Sequence, residues 1–266
     1  MLTLEQLTQL ASRVKSRFVL EGKSALVIGG NKGLGQSMAL ALAGAGAGVC
    51  VVGRGPEGLF ETAEAIKKIS QKSSYFSADV TMEDQVREMV AYVRNQFNTI
   101  DILVNSQGAV YIEESVNFNT NEWQKVIDVN LKSVFLCCKH VGKVMLKNKR
   151  GKIINISSVR GFQGRIGDLA YAPSKGAVNQ LTKSLAIEWG YQGINVNGIA
   201  PIFTVTAISE SFLKDKEKYN WVINRIPMKR LGQLDDLFGP VIFLASEASN
   251  FINGHILVVD GGWLAG

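Results

Sequence analysis

Tyr171 and Lys175 stand one helical turn apart, and Ser158 precedes the tyrosine by thirteen residues. Together these three side-chain types can carry a proton to or from an oxygen. A free phenol titrates at about 10 and is a poor base at neutrality, but a neighbouring ammonium favours the phenolate and lowers that value. Lys175 is therefore expected to make Tyr171 a usable acid or base. Ser158 would hydrogen-bond the oxygen of a bound alcohol or carbonyl. A tyrosine one turn ahead of a lysine is also an ordinary surface pattern on a helix, so the pair takes its meaning from what positions it. Lys152 to Ile156 reads as a short buried strand that delivers Ser158 at its end. Ala177, Val178, Leu181, Leu185 and Trp189 recur at helical spacing and place Tyr171 and Lys175 at the head of a long helix.

A partner for that proton chemistry is legible near the other end of the chain. The apolar run 24–28 is followed by Gly29, Asn31, Lys32, Gly33, Leu34 and Gly35, then by a helical stretch over 36–43 and a second apolar run, 49–53. Strand, glycine turn, helix and strand is the context in which a backbone approaches a pyrophosphate and meets it with the N–H groups of a helix N-terminus. At the end of the second strand a carboxylate would accept adenosine ribose hydroxyls and repel a 2′-phosphate. Gly53-Arg54 offers a guanidinium instead, and Lys32 adds a second cation. The spacing thus favours NADP(H), with NAD(H) open and a merely solvated Arg54 as the plain alternative.

The remaining pattern alternates strands with helices. Further strands are expected at 74–77, 101–105, 194–199 (stopped by Ala200-Pro201) and 255–259. Helices are expected at 81–97 with Thr81 as N-cap, at 123–147 as one long helix with Asn130 inside it, and at 234–246. Nearly all-apolar strands separated by helices predict an α/β chain, a single-domain Rossmann-like doubly wound fold whose seven-stranded parallel sheet carries helices on both faces. Residues 21–266 form that catalytic domain. Residues 1–20 form a helical extension with Leu4, Leu7, Leu10 and Val14 on one face, read as packing on its own domain or on a sister subunit rather than on a membrane. The polar segment around 204–227 follows a strand's carboxyl end and is expected to be a substrate lid.

Bulk properties narrow the partners. Of 266 residues 46% are hydrophobic, enough for a sizeable core, and no run approaches a membrane span or has the order of a signal peptide. The expected location is the cytoplasm. The net charge is +6, yet the lysines and arginines are scattered without an aromatic-interleaved stripe, so a phosphate-bearing cofactor and an acidic small substrate fit better than nucleic acid. Cys50, Cys137 and Cys138 show no ligand spacing and are read as free thiols; no metal site is expected.

In order and spacing these motifs resemble the short-chain dehydrogenase/reductase family over 20–266. Gly29, Gly33 and Gly35 resemble its cofactor turn, Asp79-Val80 its adenine-side contact, and Asn105-Ser106-Gln107-Gly108 stands where Asn-Asn-Ala-Gly is usual. Asn130 matches its proton-relay asparagine, and Ser158, Tyr171 and Lys175 its catalytic set. The resemblance implies cofactor contacts from Asp79, Val80, Asn105, Gly108, Tyr171, Lys175, Pro201, Thr204 and Thr206, and a homotetramer. The chain departs from the pattern at Ile28 (usually threonine), at Ser106-Gln107, and at Ile202 (often glycine). The C-terminal run from Arg230 to Ala265 is similar to gluconate 5-dehydrogenases, which implies oxidoreduction of a sugar acid or polyol. Arg160 and Arg165, between Ser158 and Tyr171, would then hold the carboxylate, or else point to solvent. A 3-oxoacyl thioester reductase and a non-catalytic dinucleotide-binding protein are the competing readings.

Overall fold

The computed structural model describes residues 2–70, 72–204 and 215–266. Seven parallel strands form one sheet: β1 (Ser24–Ile28), β2 (Gly48–Gly53), β3 (Ser73–Ser77), β4 (Ile102–Asn105), β5 (Gly151–Ile156), β6 (Ile194–Pro201) and β7 (Ile256–Val259). Their spatial order is β3-β2-β1-β4-β5-β6-β7. Chain direction across the sheet therefore reverses between β1 and β4, whose carboxyl ends open a crevice of the kind such sheets use for ligands. Strand six runs on through Pro201, which lies opposite Val259. A proline there removes one donor at the last residue of a strand, and the ladder tolerates it.

Every residue of β1 is buried because both sheet faces are covered. Leu26 and Ile28 point into one core, Ala25 and Val27 into the other. Helices α2 (Gly33–Gly44) and α3 (Pro56–Lys67) close the second face together with α9 (Phe238–Ala245). On the first face lie α4 (Glu83–Phe97), α6 (Ser133–Asn148) and α7 (Tyr171–Trp189). Between α4 and α6 runs α5 (Thr120–Ile127), and α8 (Lys216–Arg225) precedes α9.

Several boundaries differ from the sequence reading. The expected helix over 123–147 is α5 and α6 joined through a π-helical turn, Asp128–Lys132, with buried Asn130 at its centre. Such wide turns recur at functional sites because they re-aim one side chain without ending the helix. Thr81 does not cap α4; Met82 holds the cap position, and the Asp79 carboxylate instead accepts from the Thr81 N–H and hydroxyl. The expected helix at 234–246 begins as a 3-10 turn, Leu234–Leu237, closed by reciprocal bonds between Gln233 and Asp236, before α9. Of the two packings expected for the N-terminal extension, the one on its own domain is not seen. Helix α1 (Leu4–Ser12) buries none of its residues, so it does not pack on its own domain. Only the turn after it is tied down, by Arg17 Nη2 donating to the Glu247 carbonyl at 2.9 Å and by Phe18 against Phe243. Among the described residues no helix is long and apolar enough to cross a membrane.

Candidate active site

The cleft at the sheet's carboxyl edge encloses about 600 Å³. At one end the chain leaves β1 in a turn that only glycine permits. Gly29 has φ +77 and Gly33 φ +58, and a Cβ on Gly35 would lie 2.1 Å from the Gly29 carbonyl oxygen. The Gly29 and Gly30 N–H groups bond the Val52 carbonyl at 2.7 and 3.1 Å, which locks the turn against β2. No side chain caps the N-terminus of α2 at Lys32, so its first N–H groups face the cleft as donors for an anion. Asn31, Lys32, Leu34 and Arg54 line the same end.

Asp79 and Val80 line the wall beyond β3. Burial opposes the Asp79 charge, but hydrogen bonds from Thr81 and the cations Arg54 and Lys132 outweigh it and hold this carboxyl below its usual value. Asn105 is placed differently from the expectation: it is fully buried under the cleft rather than lining it. Its Nδ2 donates to Asn155 Oδ1 at 2.9 Å, and Asn155 Nδ2 donates to Thr182 Oγ1 at 2.9 Å, so the three tie β4, β5 and α7 together. Gly108 and the side chains of Ser106 and Gln107 do line the cleft, with Gln107 Nε2 donating to Ser133 Oγ at 2.8 Å.

At the other end β5 delivers Ser157 and Ser158, and the two divide the work. Ser157 Oγ donates to the Lys175 carbonyl at 3.3 Å, bracing α7 on the strand, whereas Ser158 lines the cleft with Tyr171. The Tyr171 phenol is raised above its ordinary value. Burial is the main cause and Asp168 adds to it, while Ser158, Arg165 and Arg160 oppose it. Lys175 Nζ lies 5.7 Å from the Tyr171 ring and donates to the Ile156 carbonyl at 2.8 Å; burial pulls it down to about 8. The expected lowering of the tyrosine by Lys175 is thus overruled here by desolvation. Asn130 does not reach the cleft surface. Its Oδ1 accepts from Ala109 N at 2.7 Å, and its Nδ2 donates to Ala109 O and Ser174 Oγ, both at 2.9 Å.

Arg160 and Arg165 both line the cleft beside Tyr171. Arg160 is buried, with Nη1 donating to the Gly164 carbonyl at 3.2 Å; burial, Arg165 and Arg225 press its pKa downward. Arg165 Nη2 lies 3.2 Å from Asp168 Oδ2. Asp168 escaped the sequence reading, although a carboxylate three residues ahead of a helix is a capping signal: its Oδ1 accepts from Ala172 N at 3.1 Å and anchors the first turn that carries Tyr171. Pro201 and Thr204 line the cleft, Thr206 lies outside the described residues, and so does part of the expected lid.

Comparison with known proteins adds to this geometry. The family model described as Enoyl-(acyl carrier protein) reductase matches residues 28–264. A 2-dehydro-3-deoxy-D-gluconate 5-dehydrogenase of Bacillus subtilis is 43% identical over 93% of this chain and 97% of its own. A gluconate 5-dehydrogenase of Gluconobacter oxydans is 38% identical over 92% and 96%. The crystal structure of a gluconate 5-dehydrogenase from Burkholderia cenocepacia in complex with NADP and tartrate superposes with a TM-score of 0.90 at 36% identity, covering 94% of this chain and 98% of that one.

Proposed function

The chain belongs to the short-chain dehydrogenase/reductase family, and within it we propose an NADP(H)-dependent oxidoreductase that interconverts a secondary alcohol and a ketone on a sugar acid of the gluconate or 5-ketogluconate type, or a related polyol. The observation that carries the reading is that Ser158, Tyr171 and Lys175 line one cleft with Arg160 and Arg165, and that the far end of this cleft is a glycine turn. That far end fits a dinucleotide: a Cβ on Gly35 would fill the turn, and Lys32 and Arg54 supply cations where a 2′-phosphate would lie. Gly29, Asn31 and Gly33 to Gly35 would hold the pyrophosphate, and Asp79 and Val80 would flank the adenine. The bound cofactor would supply or accept the hydride.

The protein's own residues handle the proton. Because burial raises its pKa, Tyr171 is a protonated phenol at neutral pH. In reduction it gives that proton to the carbonyl oxygen while Ser158 donates a hydrogen bond to the same atom; oxidation reverses both roles. Lys175, with a pKa of about 8, is cationic at pH 7 and stabilises the phenolate left behind. Asn130 and Lys175 flank one point: a Cβ on Gly108 would lie 3.8 Å from Asn130 Oδ1 and 3.9 Å from Lys175 Nζ. A water there would return the proton to solvent. Arg160 and Arg165 hold the carboxylate and so orient the carbon to be reduced. A homotetramer in the cytoplasm is the assembly and location that go with this reading, and size-exclusion chromatography with light scattering tests the former.

NADPH and NADH oxidation measured across keto-sugar acids, polyols and acyl thioesters tests the reading. Turnover of keto acids with NADPH supports it. Turnover of 3-oxoacyl thioesters alone would select the 3-oxoacyl thioester reductase, and cofactor binding without turnover a non-catalytic protein. Tyr171→Phe should lower kcat by about 100-fold or more while leaving NADPH affinity within a few-fold.

A further inference from the structure

We propose that Trp263 is a positioning residue for the substrate-side turn 159–165, holding that turn against the C-terminal segment and thereby setting the affinity for an anionic substrate that it never touches. The inference rests on the reading that Arg160 and Arg165 receive the substrate's carboxylate.

Trp263 is fully buried, although it lies three residues from the end of the sequence. Its Nε1 donates to Gln163 Oε1 at 2.9 Å, a bond across one hundred residues of chain. Arg160 and Arg225 lie over its ring at 5.7 and 4.5 Å, and the Trp221 and Phe203 rings meet it edge-on. The short turn that carries it is fixed independently, by Asp260 accepting from Gly262 N at 2.9 Å and Leu264 N at 2.8 Å. Trp263 forms a third core with Val159, Ile202, Val222, Ile226 and Leu231, with Phe203 and Leu264 packed against it, separate from the two cores against the sheet.

That third core joins the substrate-side turn, the strand-six exit, α8 and the C-terminal turn. The start of the turn is seated on the catalytic elements, through Arg160 N to Ser158 Oγ at 3.1 Å, Gly161 N to the Ser158 carbonyl at 2.9 Å and Asn179 Nδ2 to the Gly161 carbonyl at 3.2 Å, and Arg165 Nη2 lies 3.2 Å from Asp168 Oδ2; Gln163, between the two arginines, is held from the other side by Trp263. Tyr171 and Lys175, by contrast, are braced through Ser157, Asp168 and the Ile156 carbonyl. Loosening Trp263 should therefore displace the arginines while leaving the proton machinery in place.

The test uses the full-length enzyme. Gln163→Met removes the acceptor from the half-buried side without touching the third core, and Trp263→Phe removes the donor while keeping an aromatic ring. Each should raise KM for a keto-sugar acid about fivefold, the worth of one hydrogen bond. KM for a neutral ketone, KM for NADPH and kcat should stay within about twofold, and the double variant should be no worse than either single one. An unchanged acid KM, or equal losses on acid and neutral substrates, would overturn the proposal. If the wild-type enzyme accepts no sugar acid, the functional reading falls by itself and the latch is decided by hydrogen exchange. Faster exchange of the 160–165 amides in Gln163→Met than in wild type supports it, and equal exchange refutes it.

Discussion

Replacing Lys175 by methionine should abolish turnover and make the protein more stable at neutral pH. The ammonium is buried, and desolvation lowers its pKa from 10.5 to about 8. The unfolded chain keeps this proton up to about pH 10.5 and the folded chain only up to about 8, so burying Lys175 costs nothing above 10.5, costs progressively more as pH falls from 10.5 to 8, and carries its full cost below 8. The gap between those values corresponds to about 3 kcal/mol at pH 7. Methionine fills the aliphatic stem's space and carries no charge, but it forfeits the 2.8 Å bond to the Ile156 carbonyl, at a cost of about 1 kcal/mol. Lys175→Met should then gain about 2 kcal/mol at pH 7, and the gain should shrink to nothing near pH ~10. Urea unfolding of both proteins at fixed concentration, at pH 7, 8.5 and 10, reads the difference directly, because all other titrations are shared. A variant less stable than wild type at pH 7, or a difference that does not change with pH, would refute the reasoning. Confirmation would mean that the site maintains a buried cation at the expense of stability because the phenolate needs it.

Other perturbations separate the cofactor end from the rest. Arg54→Asp should raise KM for NADPH at least about tenfold, a lost charge-assisted contact, and leave KM for NADH nearly unchanged; an unaltered preference would show that Arg54 is only solvated. Gly35→Ala drives a Cβ to 2.1 Å from the Gly29 carbonyl, so calorimetry should find NADPH binding lost, and an affinity within twofold of wild type would contradict the close-approach argument. Deleting residues 2–12 should leave kcat unchanged and Tm within about 2 °C, since α1 buries nothing in its own chain. A larger fall in Tm would place that helix in an interface between subunits.

The inner strands were legible because both faces of the sheet are covered there: β1, β2 and β4 are short apolar runs separated by helical periodicity, whereas edge strand β3 is Ser-Ser-Tyr-Phe-Ser and only partly buried. That Ser158, Tyr171 and Lys175 share one cleft was legible because the first follows a strand end and the other two open a helix. Helix ends were read less well. Thr81 has a capping side chain by type, yet Asp79 takes its hydroxyl first, and local side-chain competition of this kind leaves no periodic trace. The π turn at 128–132 was hidden for a related reason, since one extra residue in a helix barely disturbs an amphipathic pattern. Helix α1 shows the opposite failure. Its leucines recur at helical spacing, but periodicity reports an apolar face without saying which surface will cover it.

Asn105 ends its strand as expected, with its side chain wholly buried. The family resemblance implies a cofactor contact there; the side chain itself turns inward, where Asn105, Asn155 and Thr182 make a buried relay of hydrogen bonds. Three polar side chains in an apolar sheet are costly unless they bond one another. Their arrangement also ties β4, β5 and α7 into one register. Ser158 is carried at the end of β5, Tyr171 and Lys175 on α7, and the Ser106 to Gly108 wall at the end of β4. The relay thus fixes the relative positions of every group that handles the proton, from a place where no ligand reaches. Asn130 works in the same manner from the π turn, clamping Ala109 and Ser174 around the first turn of α7. Asn105, Asn130 and Asn155 thus support the cleft from beneath, and Ser158, Tyr171 and the two arginines line it.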